Sequence, residues 1–179
     1  DVYKRQFDDL IMKVVELFRK HPAILEKYQR KYTHFLVDEF QDTNVAQYAL
    51  VRMLSQKEQN ITVVGDFSQS IYSWRGADIR NLEKFSVDFS NAQVFKLEQN
   101  YRSTQKILDM AFEVISANQT HPILQLFTKN TEGEEIEYHQ AENEEAEATF
   151  IADKIQEIVN TSDYTDIALL FRTHAQSRV

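Results

Sequence analysis

The sequence predicts an α/β fold with a mainly parallel sheet, and three observations carry that prediction. Two short apolar runs, 35–37 and 61–64, are flanked by polar residues, as in strands buried on both faces of a parallel sheet. Between them, residues 45–55 repeat their apolar positions at helical spacing, giving a strand–helix–strand unit of about the length a crossover requires. Strands and helices then keep alternating through the rest of the chain, the pattern of an α/β architecture.

The elements follow in order. Phe7, Leu10, Ile11, Val14, Val15 and Phe18 recur at three- and four-residue spacing, with Asp8, Asp9, Lys13 and Lys20 on other faces, which predicts a first helix. Pro22 interrupts it, and 23–30 forms a short second helix. After the strand–helix–strand unit, 94–97 is expected as a third strand. Ser103 then opens a helix carrying Ile107, Leu108, Ala111, Val114 and Ile115. A loop around His121 and Pro122 leads to a strand at 136–139, a long helix from about 144 to 159, and a strand at 167–171. The expected domain break lies between Leu97 and Ser103, dividing the chain into 1–98 and 99–179. Asp1–Gln6 precede the periodic pattern and carry no assigned role.

Composition bounds the function. The 179 residues are 42% hydrophobic, enough for a packed core. No apolar run approaches the ~18 residues of a membrane span, and no signal peptide is read at the start. Without cysteine there are no disulfides or thiolate zinc sites, which fits a cytoplasmic location. The net charge of −8 argues against a nucleic-acid partner only until the acids are located. Eight of the 28 acids are glutamates between Thr131 and Ala148, a solvated face; the other 20 balance the 20 Lys and Arg. Binding to a nucleic acid then depends on a local basic and aromatic track.

Three islands carry the chemistry: FLVDEFQDTN at 35–44, VVGDFSQSIYSWRGAD at 63–78 and LEQNYRST at 97–104. Asp38 and Glu39 follow a buried strand, so they stand at its carboxyl end, where open α/β sheets place ligands. Adjacent acids there suit nucleotide hydrolysis: one carboxylate can face Mg²⁺ while the next orients the attacking water. The plain structural alternative is a pair of acids that begin a turn or cap the helix near Asn44. Asp66 repeats the geometry at the end of the next strand, after Gly65, and Gln69 can sense a γ-phosphate or position a water. Tyr72, Trp74 and Arg75, within four residues of one another, suit base stacking and phosphate contact; the alternative is that the rings are buried anchors of their loop. Tyr101 can stack on a purine, and Arg102 can reach phosphate charge across a cleft. Alternatively, the pair stabilises a helix start with Ser103 as its N-cap.

These islands resemble motifs II, III and IV of the UvrD/Rep/PcrA group of superfamily 1 DNA helicases. The resemblance extends to Phe7-Asp8-Asp9-Leu10 and to 167–178. It implies Mg²⁺ coordination at the Asp38–Glu39 pair, water activation by Glu39, nucleotide sensing by Gln69 with Asp66 nearby, adenine stacking by Tyr101 and a finger role for Arg102. Trp74, with Tyr72 and Arg75, would stack on single-stranded DNA. The cofactors implied are ATP and Mg²⁺, and the partners are single-stranded DNA and single/double-strand junctions, with no membrane. Phe67-Ser68 depart from the group's usual small or acidic residue followed by Asp.

The chain holds three glycines and no Gly-Lys pair, so it lacks the G-x-x-x-x-G-K-[ST] phosphate loop. The later motifs V and VI are missing as well. The reading is therefore an internal piece of a helicase: the later part of a first RecA-like domain and the start of a second, completed by the missing N- and C-terminal parts of the same chain. Alone, it is expected to be inactive. The alternatives are a non-catalytic nucleic-acid-binding or regulatory module, or the motor part of a RecB/AddA-like helicase–nuclease.

Overall fold

Two parallel strand pairs flanked by helices carry the mixed α/β architecture. The computed structural model describes residues 7–119, 121–174 and 176, so Asp1–Gln6 lie outside the described residues. It divides into two compact units, 1–133 and 134–179.

In the first unit, α1 (Phe7–Lys20) and α2 (Pro22–Lys31) both pack against α3 (Val45–Ser55). Pro22 starts α2 instead of merely preceding it. The first helical position needs no intrahelical N–H partner, and proline's fixed φ suits it. Val15 and Phe18 form the buried stripe of α1, and Gln29 Nε2 donates to the Met53 carbonyl at 2.7 Å, tying α2 to α3. Strands β1 (Phe35–Val37) and β2 (Ile61–Val63) pair in parallel, Phe35 opposite Ile61 and Val37 opposite Val63. The helix that crosses between them, α3, opens on a reciprocal cap. Asn44 Oδ1 accepts from the Gln47 N–H at 2.9 Å, and Gln47 Oε1 accepts from the Asn44 N–H at 2.8 Å.

The core under this pair is aromatic. Phe40, Tyr48, Phe85 and Phe89 are buried, with Val37, Ile61, Val63 and Leu82 packed against them. Phe40 meets Tyr48 and Phe85 edge-on at 5.9 and 5.6 Å. Phe85 and Phe89 belong to α4 (Arg80–Asp88) and the residue that ends it. The Tyr48 hydroxyl donates to Asp88 at 2.6 Å, and Arg52 reaches the same carboxylate at 3.2 Å. Burial, then the bond to Asp88, pushes the Tyr48 phenol above its ordinary pKa.

A second strand–helix–strand unit follows. β3 (Gln99–Asn100) pairs in parallel with β4 (Phe127–Thr128), and α5 (Gln105–Ser116) lies between them in sequence. Gln105 Oε1 accepts from the Thr128 N–H at 3.0 Å, and Asn130 Nδ2 donates to the Ser103 carbonyl at 3.1 Å. Thr104, not Ser103, occupies the N-cap position of α5.

The second unit is built on α6 (Glu144–Ile158). Asn143 caps it by accepting from the Ala146 N–H at 2.9 Å, and Glu144, Glu145 and Glu147 fill its first turn, where the helix dipole favours acids. His139 stacks on Phe150 at 3.8 Å, and Lys154 bridges Glu137 and Glu157, which raises its pKa.

Three expected strands are not strands. Residues 94–97, 136–139 and 167–171 have no ladder partner among the described residues, and the third strand forms at Gln99–Asn100 instead. Apolar sequence supplies a strand's side chains, but only a neighbour supplies its hydrogen bonds. Val94 and Leu170 are accordingly 84% and 87% exposed. No helix among the described residues is long and apolar enough to cross a membrane.

Candidate functional site

Asp38 and Glu39 stand out from the sheet because the backbone on either side of them is pinned to a single residue. Val64 N–H donates to the Val37 carbonyl at 2.8 Å, and the Val64 carbonyl accepts from the Phe40 N–H at 2.9 Å. The two acids arch between these rungs, at the carboxyl end of the β1–β2 pair, and both are exposed. Glu39 takes a left-handed backbone, with φ 49°, a conformation uncommon for a residue with a Cβ. The Asp38 carboxylate accepts from the Glu39 N–H at 2.9 Å. Phe40 holds the arch from beneath as a fully buried core residue. The pair begins a turn, as that alternative has it, but the cap of the following helix is Asn44 and neither acid.

Gln41 joins this arch to the second island. It is almost wholly buried; its Nε2 donates to Glu39 Oε2 at 2.7 Å and its Oε1 accepts from the Asp66 N–H at 3.1 Å. Gly65 lies against the same amide. A Cβ there would come within 2.8 Å of Gln41 Oε1, so this glycine answers close approach rather than a positive φ. Asp66 in turn uses both oxygens, accepting from the Ser68 N–H at 2.8 Å and from Gln69 Nε2 at 2.9 Å. Asp38, Glu39, Asp66 and Gln69 thus share one edge. Sequence reasoning missed Gln41 and Phe40. Their signal was the parallel pairing of the two strands, which brings residue 41 beside residue 66.

Tyr72, Trp74 and Arg75 form an exposed ledge on the same unit. The Arg75 guanidinium lies 4.5 Å from the Trp74 ring centre and 5.4 Å from that of Tyr72. Trp74 is 72% exposed, so it is not the anchor of its loop. The anchors are polar. The Thr43 carbonyl accepts from the Asp78 N–H at 3.1 Å and from the buried Asn81 Nδ2 at 2.9 Å, and Asn44 bridges to Ala77. Gly76, at φ 88°, ends the 3-10 turn Ser73–Arg75 in a conformation that glycine adopts without strain.

Tyr101 and Arg102 follow β3, again at the carboxyl end of a parallel pair, and both are exposed. Asn100 Oδ1 accepts from the Arg102 and Ser103 N–H groups at 2.9 and 2.7 Å, which turns the chain here without help from Ser103 as a cap. Among the described residues the Arg102 guanidinium makes no ion pair and the Tyr101 ring no stack.

Comparison with known proteins decides the family. Residues 4–90 match the model of the UvrD/REP helicase N-terminal domain, and residues 95–179 that of the UvrD-like helicase C-terminal domain. The chain belongs to the UvrD-like helicase family. Among its relatives is the ATP-dependent DNA helicase PcrA of Bacillus subtilis strain 168, 52% identical over 175 residues, which are 97% of this chain and 24% of that protein. The PcrA of Leuconostoc citreum is 48% identical over 174 residues, 96% of this chain and 23% of that one. That of Staphylococcus aureus strain Mu50 is 51% identical over 177 residues, 97% and 24% respectively. This UvrD-like chain therefore spans about a quarter of the length of the curated relatives it matches. The changeover between the two models falls between residues 90 and 95.

The relatives are named as ATP-dependent, and the chemistry of this edge suits Mg²⁺. The donors are oxygens only, from one or two carboxylates, which is what Mg²⁺ takes while keeping several waters and binding phosphate. Among the described residues no group of three or more His, Cys, Asp and Glu forms a complete metal cage. A site that a phosphate helps to complete needs none.

Proposed function

We propose that this chain forms part of the motor of an ATP-dependent DNA helicase that couples ATP hydrolysis to movement along single-stranded DNA. The observation that carries this reading is the shared edge: two exposed carboxylates and Gln69 at the carboxyl end of a parallel pair, in one continuous backbone with an aromatic–guanidinium ledge. Asp38, with Glu39 beside it, is the residue to hold Mg²⁺, which when bound neutralises charge on the phosphate oxygens. Glu39 orients the attacking water and takes its proton. Gln69, held by Asp66, contacts the terminal phosphate. Tyr101 stacks on the adenine, and Arg102 supplies transition-state charge from the second motor domain, an effect of about 10³–10⁵ in rate in other NTPases. Tyr72, Trp74 and Arg75 grip the strand, at single/double-strand junctions as well as along single-stranded DNA. In this reading the two motor domains meet near residues 98–99 and the protein works in the cytoplasm.

The test is ATP hydrolysis by a full-length helicase carrying these residues, with and without single-stranded DNA, against Glu39→Gln. The expected result is strong stimulation by DNA that disappears in the variant. Hydrolysis that is absent, or that survives Glu39→Gln at full rate, overturns the reading.

A further inference from the structure

We infer that Gln41 is a positioning residue for hydrolysis: it holds the Glu39 carboxylate in place and ties that position to the strand-end backbone at Asp66. The inference rests on the reading of Glu39 as the group that orients water.

The geometry assigns each end of the amide. A backbone N–H can only donate, so the contact with Asp66 N must be made by Oε1, which leaves Nε2 to face Glu39. The amide cannot flip without setting N–H against N–H at 3.1 Å. It cannot swing away either, because it is 1% exposed and Gly65 closes over it with no room for a Cβ. Glu39, by contrast, is exposed and sits on a left-handed backbone, so its side chain has no packing to fix it. Its one side-chain hydrogen bond among the described residues is the one from Gln41, at 2.7 Å. A carboxylate that must aim a water needs a fixed orientation, and a buried neutral donor gives it one without adding a charge.

One further contact ties Gln41 to the second island. Its carbonyl accepts from Ser70 Oγ at 3.4 Å, and its Oε1 meets the residue whose carboxylate holds Gln69. The orientation of Glu39 is thereby referred to a backbone 25 residues away, whereas Gln69 is held by the Asp66 carboxylate and not by this amide.

The experiment uses the full-length helicase and two variants. Gln41→Met keeps the side-chain length and removes both polar contacts. Gln41→Glu keeps the acceptor for the Asp66 N–H but turns an oxygen toward Glu39. Steady-state ATP hydrolysis with saturating single-stranded DNA, affinity for a fluorescent ATP analogue, affinity for the DNA and thermal melting are measured for each. Both variants are expected to lose kcat on the order of 10- to 100-fold, the usual cost of removing a partner that orients a reacting group. KM for ATP and both affinities should stay within about twofold, since the lost contact acts on the transition state. Added to Glu39→Gln, either change should lower the residual kcat no further, because it acts only through Glu39.

Wild-type kcat in either variant beside an inactive Glu39→Gln overturns this inference alone. So do losses that multiply in the double variant, and so does unfolding of both variants, which would make Gln41 a structural strut. A wild type without DNA-stimulated hydrolysis, or a fully active Glu39→Gln, overturns the functional reading and this inference with it.

Discussion

At the scale of single residues, exposure separates the side chains that hold the fold from those free to meet a ligand. Phe40, Gln41 and Asn81 are buried within or beside the same islands whose Asp38, Glu39, Trp74 and Arg102 stand in solvent. Trp74→Ala in the full-length helicase should leave the melting temperature almost unchanged, since exposed positions without partners in the core contribute within about 0.5 kcal/mol. Affinity for single-stranded DNA, measured by fluorescence anisotropy, should fall by the ~1–3 kcal/mol of one stacked base. A fall in stability with unchanged affinity would return Trp74 to the role of loop anchor. Gln41 shows what a residue-level reading cannot reach. Its neighbours in sequence marked it as part of a motif, but its two partners follow different strands, at the same carboxyl end of the parallel pair.

Elements add the next level of control. At the start of α4, Arg80 grips Asp78 with Nε at 2.7 Å and Nη2 at 3.0 Å, and Lys84 approaches at 3.4 Å. The Arg80 bond is the chief cause that holds the Asp78 carboxyl down from 3.8 to about 2. A depressed carboxyl stabilises the fold above its unfolded pKa and loses that contribution as pH falls through the folded value. The difference in melting temperature between wild type and Asp78→Asn should therefore be full at neutral pH and fade from about pH 4 to pH 2. A gap that persists at pH 2 would assign the effect to the backbone bonds around Asp78 instead.

Helices were the legible elements. The apolar spacing marked α1, α3, α5 and α6, because a helix satisfies its own backbone and its pattern is local. The strands at 35–37 and 61–63 were legible because they lie one crossover apart. Those expected at 94–97, 136–139 and 167–171 were not, because pairing depends on a neighbour the local sequence does not contain. The short 3-10 turns at Phe40–Asp42, Phe67–Gln69 and Ser73–Arg75 left no periodic trace, yet they set the angles of the site. The three islands themselves were readable as chemistry, since their acids, amide and aromatics stand at strand ends.

For the molecule as a whole, the absence of a phosphate loop is the governing fact. The 179-residue chain by itself should release no phosphate from ATP, with or without single-stranded DNA, for want of a lysine and a row of N–H groups to cradle the phosphates. Turnover abolished by Glu39→Gln in this chain would overturn that expectation. The glutamates of residues 132–147 leave the rest of the chain electrically neutral, so any grip on DNA is a matter of placement, not of bulk attraction. Placement, in turn, comes down to the carbonyl of Thr43, which takes both the Asp78 N–H and the Asn81 amide. The ledge is thus a bracket bolted at its foot: wet at the tip, rigid at the base. A load applied to Trp74 would bear directly on the turn behind Asp38 and Glu39, with no slack segment between them to take up the strain.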